Sequence, residues 1–216
     1  ASIQTTDQGY ETPYGALQIA LDGVQFLRSR GIAAVEPPTF DSEHSISTHA
    51  AFVKRLFPGA SLLPIVLKVG TSREQTNALA TALNDFLPKD ALVLASVDFS
   101  HYLPPDIAAF HDDYSQAVIE QFASEHVRNL EIDSAPSIES FLTYLSAREA
   151  QHVAYAYHTN SADFIVGTVP DETTSHFFYA FTNGKPPSSP FATLLFFGDS
   201  IVGRGIAAAI EKDQDP

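Results

Sequence analysis

The sequence predicts an α/β layered fold, with a mostly parallel sheet flanked by helices. Three observations predict it. Short apolar runs and amphipathic stretches alternate along most of the chain. Two of the runs, 62–67 and 91–97, are rich in Val, Ile and Leu and are bounded by Pro, Gly and Asp, as buried strands are. Between them a helical stretch opens at Ser72 with Gln75 at capping-box spacing and carries Leu79, Ala82, Leu83 and Phe86 at helical intervals before Pro88 stops it. Strand, helix and strand then read as a right-handed βαβ unit.

Upstream of that unit, residues 17–30 read as a helix ended by Gly31, and 45–57 as another ended by Pro58-Gly59. Downstream, 107–122 is expected to be a helix with Phe110, Tyr114, Ala117, Val118 and Phe122 on one face, and 137–145 a shorter one. Strand candidates follow at 153–157, 177–181 and 193–197. Three prolines and two serines within 184–190 pack little and cannot continue a ladder, so a linker is placed at 184–192. It divides a main domain at 1–183 from a strand and tail at 193–216.

A chain of 216 residues and 23.4 kDa suits one domain with a sizeable core. Its 12 Lys+Arg against 26 Asp+Glu give a net charge of −14 and a pI of about 4.7, which repels phosphate backbones and anionic lipid. No nucleic-acid partner is expected. No apolar run reaches the roughly 18 residues of a membrane span, so no membrane insertion by this chain is expected either. The absence of cysteine excludes disulfides, thiolate metal sites and a cysteine nucleophile. Met is absent as well and the chain opens on Ala1, which reads as a processed or cut chain with a missing N-terminal segment or neighbouring domain. A lack of both Cys and Met suits an exported protein exposed to oxidants.

Three polar clusters carry candidate chemistry. In Asp41-Ser-Glu43-His44-Ser45, with His49 beyond, an acid beside an imidazole at a helix start can fix the ring's tautomer; alternatively Asp41 or Ser42 caps the helix and the histidines are solvated. In the second, the apolar run 91–97 ends in Asp98-Phe99-Ser100-His101-Tyr102, and ligands of open α/β sheets bind beyond the carboxyl ends of strands. Asp98 and His101 suit an acid–base pair or metal ligands there, unless Asp98 makes a turn with its own backbone. The third comprises His158-Thr-Asn160-Ser-Ala-Asp163 and Glu172-Thr-Thr-Ser175-His176, polar runs that line a pocket or form turns. His111, His126 and His152 read as surface residues.

At Glu43-His44-Ser45-Ile46-Ser-Thr-His49 and at Ser96-Val97-Asp98-Phe99-Ser100-His101-Tyr102 the sequence resembles the Memo-like family, also described as AmmeMemoRadiSam system protein B. The segments Gln8-Gly9-Tyr10-Glu11-Thr12-Pro13-Tyr14-Gly15 and Leu63-Pro64-Ile65-Val66-Leu67 agree with it, and the resemblance covers residues 4–182. It implies a fold similar to class III extradiol dioxygenases, which use non-haem iron, and hence a metal-dependent oxidoreductase with Fe or another divalent transition metal as cofactor. His101 matches the acid–base position of the pocket and Asp98 its acidic neighbour, with Glu43 and His44 in the same cleft. The ligand is expected to be a small molecule or peptide, and the family's default compartment is the cytoplasm.

The chain departs from the family pattern in two ways. The two upstream histidines that supply the family's metal site have no counterpart, and its pocket cysteine is matched by Asp133 in Ile132-Asp133-Ser134-Ala135-Pro136. The ligand set carried over is therefore His44, His101 and Asp133, which keeps an oxygen donor and removes a thiol redox role, and metal binding is expected to be weak and substoichiometric. Segments around 132–136, 158–162 and 173–176 look like a bacterial branch. Beyond the linker, Thr193-Leu-Leu-Phe-Phe-Gly198-Asp199-Ser200 resembles the opening of a CapA-like capsule-synthesis domain, while Ser200 also suits a lipase-like nucleophile. Only 16 residues follow Ser200, too few to complete either site. The competing functional expectation is a non-catalytic binding or scaffolding domain of a larger cell-envelope or capsule-synthesis-related protein.

Overall fold

The computed structural model describes residues 1–168 and 171–184. The expected linker past Gly184 and the strand at 193–197, with Asp199 and Ser200, lie outside the described residues. The elements are β1 (Ile3–Thr5), β2 (Gln18–Ile19), α1 (Leu21–Ser29), β3 (Ala34–Val35), α2 (Pro37–Phe40), α3 (Ser47–Leu56), β4 (Ser61–Leu62), β5 (Ile65–Leu67), α4 (Arg73–Phe86), β6 (Phe99–Leu103), α5 (Pro105–Glu120), α6 (Ala135–Ala147), β7 (His152–Asn160) and β8 (Thr173–Thr182), with 3₁₀ turns at Ser124–Asn129 and Ser161–Phe164.

The mostly parallel sheet is corrected to a mixed arrangement of three small sheets among the described residues, ordered β3-β1-β5, β2-β4 and β6-β8-β7. β1 runs parallel to β3 but antiparallel to β5. β2 and β4 are parallel, and the third sheet is antiparallel throughout. Connection chemistry explains the β7–β8 pair: a 3₁₀ turn follows β7, and among the described residues no crossover helix brings the chain back in parallel. The expected strand at 62–67 is split into β4 and β5 because Pro64 has no N–H for a ladder, and its carbonyl accepts the Thr5 hydroxyl at 2.8 Å instead. Residues 91–98 join no ladder among the described residues, so the βαβ unit is absent as a paired unit. Ala95 and Val97 are nevertheless buried.

The helices follow the sequence more closely. Ser72 caps α4 with the full reciprocal capping box to Gln75, and Thr76, Leu79, Ala80 and Leu83 form its buried face. α6 presents Ile138, Phe141, Leu142 and Leu145 to the same core, which reaches Phe99, Phe177 and Tyr179 of the third sheet. Phe99 and Phe177 meet edge to face at 4.8 Å between centroids. The face expected for α5 is corrected in part, since Val118 is buried and Phe122 packs on the core as expected. Phe110 is 74% exposed and Tyr114 is exposed too, whereas Ala108, Asp112, Ser115, Val118 and Ile119 are buried. The helix is rotated because a carboxylate, Asp112, is satisfied inside.

Candidate metal centre

Pairing between two segments builds the site. Ser100 N donates to Glu131 O at 2.8 Å and Asp133 N to Asp98 O at 3.1 Å, so 131–133 runs antiparallel beside 98–100 with Phe99 opposite Ile132. Side chains alternate across such a pair. Phe99 is turned into the core and Ile132 packs against it, which leaves Asp98 and Asp133 as neighbours on the other face. His101 completes the group: its Nδ1 lies 3.2 Å from Asp133 Oδ2 and 3.8 Å from Asp98 Oδ2. One ligand atom from each of the three residues lies within 4.8 Å of the others. Asp98 and the imidazole are largely covered, while Asp133 is 57% exposed, so the group opens to solvent on that side. The imidazole stacks on Tyr102 with ring centroids 3.7 Å apart.

The other residues that the sequence singles out around position 43 sit elsewhere. Glu43 turns onto its own chain, accepting from the amides of Ser45 and Ile46 and from the Ser45 hydroxyl, which satisfies donors at the approach to α3. His44 is exposed, and its carbonyl accepts from the Thr48 hydroxyl at 2.7 Å. Neither belongs to the three-residue group. It is His49, one turn further on, that reaches across, its Nε2 3.3 Å from Ser96 Oγ and two residues short of Asp98.

One buried residue beside the site carries no signal in the apolar periodicity of its helix. Asp112 is 3% exposed and lies beneath the third sheet, with Oδ1 accepting from Ser100 Oγ at 2.6 Å and Oδ2 meeting Ser175 Oγ at 2.5 Å and His158 Nε2 at 2.8 Å. Burial alone would raise its pKa, but the hydrogen bonds from His158, Ser100 and Ser175, with the nearby imidazole charge, hold the carboxyl below its usual value. A periodicity that admits Asp112 with Ala108, Ser115 and Ile119 finds the true inner face.

Fold and site together define a mixed α/β domain with an open carboxylate–imidazole group at the start of a strand. The profile of the family described as Memo-like protein matches residues 1–168, and the chain belongs to that family. A MEMO1 family protein of Pyrobaculum aerophilum is 34% identical over 109 residues, covering 48% of this chain and 38% of the relative. One from Methanothermobacter thermautotrophicus is 29% identical over 117 residues, covering 52% and 42%. One from Aquifex aeolicus is 29% identical over 100 residues, covering 42% and 25%. The relatives are mostly archaeal and so lend no support to a bacterial branch. The matched part spans about two-fifths of the length of the first two of these relatives.

Proposed function

We propose that Asp98, His101 and Asp133 hold one divalent transition-metal ion, with iron(II) the first candidate, as the centre of a metal-dependent oxidoreductase acting on a small molecule. The convergence of the three side chains carries this reading. Donors around an ion bonded at about 2.1 Å stand roughly 3 Å apart or a little more; the two separations to the imidazole, 3.2 and 3.8 Å, are close to that, and all three ligand atoms lie within 4.8 Å of one another. Two carboxylates and an imidazole suit Fe(II), Mn(II) or Zn(II) and offer no soft thiolate for copper(I). A bound ferrous ion would supply one-electron and dioxygen chemistry. The chain itself supplies orientation: Asp98, under cover, faces the imidazole, and the open Asp133 side leaves room for an exogenous ligand.

Anaerobic calorimetric titration with Fe(II), and separately with Co(II), tests the reading. One ion per chain should bind saturably, loosely enough for a chelator to remove it because Asp133 is exposed. His101→Ala and Asp133→Asn should each weaken binding by more than about tenfold. A folded chain that binds neither ion saturably overturns the proposal and transfers the domain to the non-catalytic, scaffolding reading.

A further inference from the structure

Among the described residues, four other than glycine have positive φ: Ser100 (42°), Tyr102 (62°), Phe122 (53°) and Glu149 (56°). Phe122 and Glu149 directly follow the C-caps of α5 and α6, where left-handed backbone is ordinary. Ser100 and Tyr102 are different, for both lie inside β6 and they flank His101. Each costs on the order of 1–3 kcal/mol and persists only where the surroundings over-determine it.

The surroundings that do so form a chain of hydrogen bonds beneath the strand. Asn160 Nδ2 donates at 3.1 Å both to Ser175 Oγ and to Thr173 Oγ1. Ser175 directs its own proton to Asp112, and Thr173 directs its proton to Leu103 O at 2.8 Å. Ser100 donates to the other oxygen of Asp112. β6 is therefore gripped on both sides of His101, at Ser100 through its hydroxyl and at Leu103 through its carbonyl. Each hydroxyl has one proton and one direction, and Ser100 and Ser175 give theirs to the two oxygens of Asp112, which an ionised carboxylate accepts without needing a partner for a proton of its own.

We infer that Asp112 is a positioning residue for His101: through Ser100 on one side and Ser175, Asn160 and Thr173 on the other, it locks the strained turn that aims the imidazole at Asp98 and Asp133. The inference rests on the proposed centre only in its metal readout. The hydrogen bonds of Asp112 go to Ser100, Ser175 and His158, so it acts on the His101 imidazole through backbone placement.

The test compares wild type with Asp112→Asn, Ser100→Gly and Thr173→Val. The glycine variant is informative because positive φ costs glycine no steric strain: it deletes the hydroxyl that ties the turn to Asp112 while keeping the backbone conformation accessible, so the strain it relieves offsets part of the hydrogen bond lost to the buried carboxylate. Thr173→Val keeps the shape and loses the bond to Leu103. The first readout is the pair of His101 ring nitrogen shifts in the metal-free protein at fixed pH, assigned with His101→Gln. Wild type should show the Nδ1–H tautomer held by Asp133, and all three variants should move toward the average of both tautomers. The second is Co(II) affinity, which should fall by about tenfold in Ser100→Gly, a loss typical of disturbed outer-shell support. Folded Asp112→Asn and Ser100→Gly proteins with wild-type His101 ring shifts overturn the inference. Should Asp112→Asn not fold, Ser100→Gly and Thr173→Val decide it by the same readout. Failure of wild type to bind Co(II) would count against the metal centre alone, because the ring shifts are read without metal.

Discussion

The buried carboxylate of Glu139 offers the sharpest test of how the core is held. It is 2% exposed on α6 and accepts from Arg73 Nε at 2.8 Å, Arg128 Nη2 at 2.6 Å and Thr76 Oγ1 at 2.8 Å. One charge thereby ties α6, α4 and the 3₁₀ turn at Ser124–Asn129 together. Glu139→Gln keeps the shape, retains a single acceptor oxygen and turns an amide toward two guanidinium groups. Breaking a fully buried pair costs about 3–5 kcal/mol. Arg73 and Arg128 are 49% and 34% exposed and regain water when the charge is removed, so the figure is discounted to about 2–3 kcal/mol. For a chain of this length that lowers Tm by roughly 4–12 °C. The pH dependence has a definite sign. Burial would raise the pKa of Glu139, but the hydrogen bonds from Arg128, Thr76 and Arg73 outweigh it and hold the carboxyl below its usual value. A depressed folded-state pKa stabilises above the unfolded value of about 4.3, and the contribution is lost as pH falls through the folded one. Urea unfolding should therefore show the variant less stable at pH 7 with an unchanged m-value, and the gap should narrow progressively once pH falls below about 4.3. A gap that is absent at neutral pH, or constant into acid, refutes the assignment.

Two further outcomes are expected. Tyr10 carries a buried hydroxyl with no hydrogen-bond partner among the described residues, and burial together with the charge of Glu43 pushes its pKa up to about 12. Tyr10→Phe should then gain about 1 kcal/mol at pH 7 and, in alkaline unfolding followed by circular dichroism, lose less stability than wild type between pH 10 and about 12, since a raised pKa stabilises below the unfolded value and fails above it. Phe177→Ala, at a side chain 1% exposed against Phe99, should cost about 3–5 kcal/mol in urea unfolding, and a loss under 1 kcal/mol would mean that the aromatic core is misplaced.

Much of the molecule is legible from local signals. Ser72 and Gln75 announce the start of α4, and Asp98 and His101 mark one end of the candidate centre, because capping chemistry and a charged end to an apolar run are short-range features. Asp133 is reached only through family resemblance, and the structure gives the physical account: the Phe99–Ile132 bridge sets Asp98 beside it across 34 intervening residues. What escapes the sequence is long-range or polar. Pairing direction depends on which strands meet, so β5 lying antiparallel to β1 cannot be read from either run alone. The inner face of α5 is misjudged because hydrophobicity points to Phe110 and Tyr114, while the true inner face turns on a carboxylate whose partners, Ser100, His158 and Ser175, come from three other strands.

β8 shows how the domain accommodates a strained site. Its inward residues change character along the strand, from the hydroxyls of Thr173 and Ser175 to the rings of Phe177 and Tyr179, all four of them buried. The hydroxyl half supplies the bonds that hold β6 against the positive φ of Ser100 and Tyr102, and the aromatic half packs on Phe99, the residue just before that strain. Two such backbone outliers cost together on the order of 2–6 kcal/mol, whereas each fully buried large apolar side chain contributes about 1.5–3 kcal/mol. Phe99, Phe177 and Leu142, each no more than 1% exposed, bury large apolar side chains beside the strained turn. Their packing is non-directional and sets no torsion at residue 101, so the stability comes from the rings while the aim of His101 depends on Asp112 and its hydroxyl partners.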